Sequence, residues 1–215
     1  MTTGEDAGQA RSVEDVFTEI YRTNGFGGSE SVSGPGSDLA STAALRAGLA
    51  DLLREIGARS LLDAPCGDFN WMKEVPLELD SYVGVDVVAE LVARNRERYG
   101  NATRTFLHAD ILRDPLPCAD VIFCRDCLVH LPLADCRVAL QNFKRSGSRW
   151  LLTTSFIRTE ENVDITAGSW RQLNLEKPPF DFPPPHRTID ERNVRLGGIY
   201  ADKRQALWEI SSLPL

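Results

Sequence analysis

The segment that most constrains this chain is SLLDAPCGDFNW at 60–71. A short apolar run ends there in Asp63, and a tight turn through Gly67 leads into a helix-like stretch. A second apolar run, at 82–86, ends in another acid, Asp86. Strand, tight turn, helix, strand and terminal acid is the order of a nucleoside-binding α/β unit, in which the second acid binds the ribose hydroxyls. The sequence therefore predicts such a unit here.

The rest of the chain alternates apolar runs with helical patterns. Predicted strands are 60–64, 82–86, 104–108, 119–124 and 149–154, and predicted helices are 13–21, 39–56, 69–74, 87–99 and 133–145. This alternation predicts a Rossmann-like α/β fold, with a mostly parallel sheet and helices on both faces. A last strand at 205–211 is expected to run antiparallel at or near an edge. Asp38 is the expected N-cap of the second helix, and Gly57 is its expected stop.

Two irregular segments flank this pattern. Residues 1–37 combine the first helix with a Gly/Ser-rich stretch, for which a flexible linker and a cap over the site both remain open. Residues 38–215 are expected to form the main domain. Within it, 157–188 is rich in Pro, Asn, Asp and aromatic residues, and is expected to be the insert that determines substrate specificity.

Composition restricts the partners. The 215 residues carry a net charge of −7, which argues against a nucleic-acid partner because such proteins usually present a basic face. The sequence has no apolar run long enough to span a membrane and begins without the basic and apolar regions of a secretory signal. We therefore expect a cytoplasmic protein, either a monomer or a homodimer.

The turn at Gly67 distinguishes between two kinds of nucleoside ligand. A dinucleotide site needs glycines in the pattern G-x-G-x-x-G, and only Gly67 of that set is present. Asp68 stands where a pyrophosphate would lie, and its carboxylate would repel phosphate but attract an ammonium group. The turn therefore favours S-adenosylmethionine (SAM), which carries an amino-acid end, over NAD.

From about residue 38 to 155 the chain resembles the class I SAM-dependent methyltransferases. The matching motifs are DAPCG at 63–67, Asp86, ADI at 109–111 and CRDCLVH at 124–130, although Pro65 and Phe69 replace two glycines usual in the family. The resemblance implies that Asp86 binds ribose and Asp110 lies near adenine. The full expected set of SAM-binding residues is Ser37, Asp63, Pro65, Cys66, Gly67, Asn70, Trp71, Asp86, Val87, Asp110, Ile111 and Arg125.

A narrower resemblance concerns bacterial enzymes that methylate sugar hydroxyls, including actinobacterial enzymes acting on mannosides in polysaccharide synthesis. The motifs that carry it are SGPGS at 33–37, RDCLVHL at 125–131, NVDI at 162–165 and GSWRQLNL at 168–175. It implies methyl transfer to a hydroxyl of a carbohydrate or glycosylated small molecule, so that the partner is a small-molecule or oligosaccharide acceptor. An amine acceptor and a non-catalytic SAM-binding protein are the alternatives.

A sugar hydroxyl must lose its proton, which requires a general base or a metal ion. His130 is the leading candidate base, and Asp126 is the alternative base or a metal ligand. Asp126 and Asp164 are the candidate ligands of a Mg²⁺ ion. The expected substrate contacts are Tyr21, Trp170, Arg171 and Asn174.

Overall fold

The computed structural model describes residues 11–192 and 198–215, and every structural statement below refers to these residues. Its centre is a seven-stranded sheet in the order β3-β2-β1-β4-β5-β7-β6. The strands are β1 Ser60–Asp63, β2 Ser81–Asp86, β3 Arg104–His108, β4 Val121–Cys124, β5 Trp150–Phe156, β6 Arg187–Asp190 and β7 Lys203–Glu209. Strands β1 to β5 are parallel, whereas β7 pairs antiparallel with both β5 and β6. The predicted fold class is confirmed.

In the described part of the chain, four α-helices surround the sheet: α1 Val13–Thr23, α2 Ala43–Glu55, α3 Ala89–Tyr99 and α4 Leu133–Arg145. A capping box starts α1, in which Ser12 accepts from the Asp15 amide and the Asp15 side chain accepts from the Ser12 amide. None of the described helices is both long enough and apolar enough to traverse a lipid bilayer.

The core lies on both faces of the sheet, as expected for parallel strands with helices on each side. Neighbouring strand residues point to opposite faces, so Leu62 joins the cluster that includes α4, and Leu61 joins the cluster that includes α2. Within α2, the buried face consists of Leu45, Leu49, Leu52 and Leu53.

Two predictions about helix boundaries were wrong. Asp38 does not cap α2, because four residues intervene before the helix begins at Ala43 with Thr42 as its N-cap. The helix predicted at 69–74 is reduced to one 3₁₀ turn, Met72–Glu74. The reason is backbone geometry, since Gly67 and Phe69 have positive φ angles of 54° and 59°, which an α-helix cannot contain.

The final strand is antiparallel as predicted, but it lies inside the sheet because β6 covers its outer side. The sequence analysis did not predict β6. The order of strands reverses between β1 and β4, and in open α/β sheets ligands bind at the carboxyl ends of the strands beside such a reversal.

Candidate functional site

A cavity of about 460 Å³ lies at this reversal point. Its floor comes from the residues that follow β1, β2, β3 and β4, and α1 and the loop at 32–37 cover it. The cavity brings together most of the residues that the sequence analysis assigned to the site. Those that line it are Tyr21, Ser37, Asp63, Pro65, Cys66, Gly67, Trp71, Asp86, Val87, Asp110, Ile111, Arg125, Asp126, His130 and Trp170.

The turn after β1 is held from both sides. The Gly67 amide donates to Asp86 Oδ2 at 3.1 Å, and the Gly67 carbonyl accepts from Asn95 Nδ2 at 2.7 Å. A side chain at position 67 would bring Cβ to 2.4 Å from Ser33 Oγ, and the φ of +54° also favours glycine. The backbone of this turn therefore lines the cavity directly, which allows a ligand to approach it closely.

The same side of the cavity is acidic. It is lined by Asp63, Asp68, Asp86 and Asp110. Burial raises the pKa of Asp63 to about 8, although the Tyr82 hydroxyl donates to this carboxyl, and burial raises the pKa of Asp86 to about 6. A cationic ligand would offset part of the free-energy cost of ionising these buried carboxyl groups, whereas a pyrophosphate would be repelled by them. These carboxyl groups suit the cationic end of a sulfonium nucleoside better than the pyrophosphate of a dinucleotide.

Asp68 also fixes the Gly/Ser-rich segment. Its carboxylate accepts from Ser31 Oγ at 3.0 Å and from the Val32 amide at 2.9 Å. This segment therefore packs across the turn, and its last residues cover the cavity. Asn70, which was predicted to bind the cofactor, does not line the cavity. Its amide nitrogen braces the same segment by donating to Glu30 Oε1 at 2.7 Å and more weakly to the Ser37 carbonyl.

A compact network of four charged side chains lies at the floor of the cavity, which three of them line. Arg125 forms a two-point ion pair with Glu191 at 3.0 and 2.8 Å. Lys203 Nζ lies 2.5 Å from Asp126 Oδ2 and 3.0 Å from Glu191 Oε2, and Arg125 Nη1 lies 3.3 Å from Asp126 Oδ2. The two cations and two carboxylates compensate one another. Although burial opposes ionisation, Lys203 and Arg125 hold the pKa of Asp126 well below its usual range.

His130 lies at the other side of the cavity, in the turn between β4 and α4. Its Nδ1 donates to the carbonyl oxygen of Ser169 at 2.8 Å, since a carbonyl can only accept. In the neutral ring, Nε2 then carries the lone pair. Burial lowers the pKa of His130, and the ring of Phe26 packs against it with centroids 4.9 Å apart.

Two predicted substrate contacts have structural roles instead. Arg171 is buried, and its Nη1 donates to the carbonyl oxygen of Leu131 at 2.8 Å and, at longer range, to two preceding carbonyls of the same turn. Asn174 is also buried and donates to the Thr159 carbonyl at 2.9 Å. Neither residue lines the cavity, because its donors satisfy buried backbone oxygens.

The predicted Mg²⁺ ligands do not converge. Asp164 lies outside the cavity, and its Oδ1 accepts from the Leu133 amide at 2.8 Å, at the start of α4. Asp126 is engaged with Lys203 and Arg125. Within 11–192 and 198–215, no three His, Cys, Asp or Glu side chains are grouped as a metal site would require. These two carboxylates therefore do not form the expected site.

Two buried charged residues beside the cavity were not predicted from the sequence. Glu191 and Lys203 lie at the end of β6 and the start of β7, in a part of the chain with no recognisable motif. Each is only 2 % exposed. A charged residue in a short strand normally faces solvent, so nothing in the local pattern indicated burial.

The strand order, with a cavity at the carboxyl edge of the sheet, is the architecture of the class I methyltransferase fold. Comparison with known proteins agrees with this architecture: residues 61–147 match the methyltransferase domain family. Uncharacterized methyltransferases of Mycobacterium bovis and Mycobacterium tuberculosis are 32 % identical over 94 residues, covering 43 % of this chain and 47 % of theirs. The chain thus matches about half the length of these curated relatives.

Two solved structures share the fold. Magnesium protoporphyrin IX methyltransferase of Synechocystis PCC 6803, determined with bound S-adenosylhomocysteine, has a TM-score of 0.53 and 16 % identity, with 67 % of this chain and 72 % of that chain covered. The [4+2]-cyclase SpnF also has a TM-score of 0.53, with 19 % identity and coverage of 78 % and 70 %. Because one of them is named a cyclase, the fold alone does not specify the reaction.

Proposed function

We propose that this protein transfers a methyl group from SAM to a hydroxyl of a carbohydrate or glycosylated small molecule. The observation that carries the proposal is the His130 ring, which lines the cavity with Nδ1 fixed as a donor to Ser169. A hydroxyl needs this kind of base, whereas a neutral amine does not. The methyltransferase domain at 61–147 supports the class of reaction.

The acidic side of the cavity is suited to the donor. Asp86 would hold the ribose, Asp110 the adenine end and the turn at 63–67 the amino-acid end, because they follow three neighbouring strands at the same edge of the sheet. SAM supplies an electrophilic methyl group on a sulfonium. What the chain supplies is orientation, exclusion of water by α1 and the loop at 32–37, and removal of the acceptor proton.

His130 is a better base than Asp126. Its lowered pKa keeps the ring neutral near pH 7, so Nε2 can accept the hydroxyl proton while Nδ1 remains bonded to Ser169. Asp126 is already ionised and paired with Lys203, and a carboxylate with a depressed pKa is a weak proton acceptor. We therefore assign proton removal to His130 and a positioning role to Asp126.

The test has two stages. Calorimetry should show binding of SAM and S-adenosylhomocysteine and no binding of NAD⁺, and radiolabelled SAM should then transfer its methyl group to neutral glycosides. Failure to bind either sulfur nucleoside would overturn the proposal. Transfer to amines alone would establish the amine alternative, and binding with no transfer across both acceptor panels would indicate a non-catalytic SAM-binding protein.

A further inference from the structure

The part of the cavity around His130 has a distinct chemical character. We call it the acceptor chamber, and its residues are Phe17, Ile20, Tyr21, Phe26, His130, Leu131, Trp170 and Tyr200. Phe17 and Phe26 have ring centroids 6.5 Å apart, and Trp170 meets Tyr200 edge-on at 5.3 Å. The Phe26 ring packs against the proposed base, and the Trp170–Tyr200 pair lines the same cavity.

Apart from His130, the hydrogen-bonding side chains of the chamber are those of Tyr21, Trp170 and Tyr200, each carried on an aromatic ring. Arg171 and Asn174, the donors that a polyhydroxylated acceptor would need, are committed to backbone carbonyls outside it. Each sugar hydroxyl that enters a closed site without a partner loses its hydrogen bonds to water. A bare sugar enclosed by aromatic walls would carry this cost for several hydroxyls at once.

The charges at the cavity floor do not favour an ionic acceptor. Arg125 and Lys203 are the described cations that line the cavity, and both are engaged by Glu191 and Asp126. An anionic group that enters the chamber would lose its hydration, and both of these cations are already paired with carboxylates.

We infer that the acceptor is uncharged and presents its hydroxyl beside an aromatic or other apolar ring that occupies the acceptor chamber. A glycoside with an aromatic aglycone has this chemistry, and a bare or phosphorylated sugar does not. The inference rests on the proposed function, because it names the acceptor class for the same reaction. Its physical basis is the area of apolar and aromatic wall that such a ring would cover.

The experiment compares a phenyl glycoside, the methyl glycoside of the same sugar and the corresponding sugar phosphate. The phenyl glycoside should have the highest kcat/KM, about tenfold or more above the other two, a ratio that burial of one ring readily provides. An equal or higher value for the methyl glycoside or the phosphate would overturn the inference.

A variant separates recognition from folding. Phe17→Ala should lower the phenyl-to-methyl ratio of kcat/KM toward one, whereas a general structural defect would lower both values equally and leave the ratio unchanged. Ile157→Ala is the matched control, because Ile157 is 46 % exposed and does not line the cavity. An unchanged ratio in Phe17→Ala would contradict the assignment of the chamber.

A binding measurement keeps this inference distinct from the proposed function. Saturation-transfer NMR on the protein with S-adenosylhomocysteine added should show contact to the phenyl ring of the glycoside and weaker contact to the methyl glycoside. Ring contact without methyl transfer would support the chamber while contradicting the proposed reaction. No ring contact, or stronger contact to the bare sugar, would overturn the inference whether or not transfer occurs.

Discussion

His130 Nδ1 lies 2.8 Å from the carbonyl oxygen of Ser169, and this contact fixes which ring nitrogen can act as a base. The adjacent amide of Gly168 donates to the His130 carbonyl at 2.9 Å, so the segment at 168–169 holds both the ring and the backbone of the histidine. The bond to Ser169 places the proton on Nδ1 and leaves Nε2 as the acceptor. Catalytic histidines use this arrangement because the orienting partner prevents the wrong tautomer.

Removing the imidazole ring of His130 should slow methyl transfer strongly and leave binding of the sulfur nucleoside intact. We expect His130→Ala to lower kcat by about 10²- to 10⁴-fold, the usual contribution of a general base. The affinity for S-adenosylhomocysteine, measured by calorimetry, should change little. His186→Ala is the control, since His186 stacks on Trp150 away from the cavity and should leave kcat unchanged. Near-native turnover in His130→Ala would remove this residue as the base.

The pH dependence of kcat/KM should reflect the same residue. Burial lowers the pKa of His130, so its neutral, proton-accepting form predominates at neutral pH and is lost only as the pH falls below the ordinary value of about 6.5. The rate should therefore be flat from about pH 7 upward and decline on the acidic side. A decline that begins above pH 7 would show that another group titrates in the reaction.

Gly168 connects the base to α1. Its φ is +84°, and an added Cβ would lie 2.8 Å from Val16 and 2.9 Å from Ile20. We expect Gly168→Ala to displace either α1 or the Ser169 carbonyl and to lower kcat roughly 10- to 100-fold, because small displacements of a catalytic group are costly. Gly57→Ala is a matched control, with φ +68° and no atom within 4 Å of the added Cβ.

Both glycine variants should lose about 1 kcal/mol in the free energy of unfolding, because alanine is strained at a positive φ. Thermal unfolding measures that shared loss, and steady-state kinetics measures the difference between them. If Gly57→Ala loses as much kcat as Gly168→Ala, the effect is one of general stability, and the coupling of α1 to His130 is refuted.

The parts of the fold that were predictable are those determined by local pattern. Strand β3 and helix α4 have the predicted bounds, and the buried residues of α4 recur at helical spacing, which leaves a periodic signal in the sequence. The acids after β1 and β2 could be assigned to the site because carboxyl ends of parallel strands meet at one edge. The helix at 69–74 could not be excluded, since its absence depends on the positive φ of Phe69.

The residues that were misassigned depend on long-range contacts. Arg171 follows a tryptophan in a loop, a pattern typical of a sugar site, but the turn before α4 exposes carbonyls that need a buried donor. Glu191 and Lys203 join the charge network only because β6 and β7 bring them close to Arg125. The periodicity of a sequence does not predict which charged side chains will pair between strands that are distant along the chain.

Asp63 should make stability depend on pH. Its pKa in the folded protein is about 8, above the value of about 3.9 in an unfolded chain. The folded state therefore holds this proton more tightly, so the contribution of Asp63 to stability is greatest below pH 4 and is lost as the pH rises toward 8. The slope approaches about 1.4 kcal/mol per pH unit between these limits.

Asp63→Asn should remove this dependence, because the amide oxygen can still accept from the Tyr82 hydroxyl but carries no charge. Urea unfolding at pH 5, 7 and 9 should show the variant gaining on the wild type as pH increases. Parallel stability curves for the two proteins would mean that Asp63 titrates normally in the folded state.

The network around Lys203 should behave as one unit. Lys203→Met leaves Asp126 and Glu191 with only Arg125 as a cation and should cost about 3–5 kcal/mol in the free energy of unfolding, as expected when a buried ion pair loses one partner. The double variant Lys203→Met with Glu191→Gln retains one cation and one carboxylate, and should recover most of that loss.

The control is the exposed pair Lys177–Glu160, whose atoms are 2.9 Å apart. Lys177→Met should change stability by less than about 1 kcal/mol, because solvent screens an exposed pair. Urea unfolding of Lys203→Met, Glu191→Gln and the double variant, compared with the wild type, forms a thermodynamic cycle. Charge balance predicts that the double variant is more stable than Lys203→Met alone. If the losses of Lys203→Met and Glu191→Gln simply add, each side chain contributes independently, and compensation does not explain why these charges are buried.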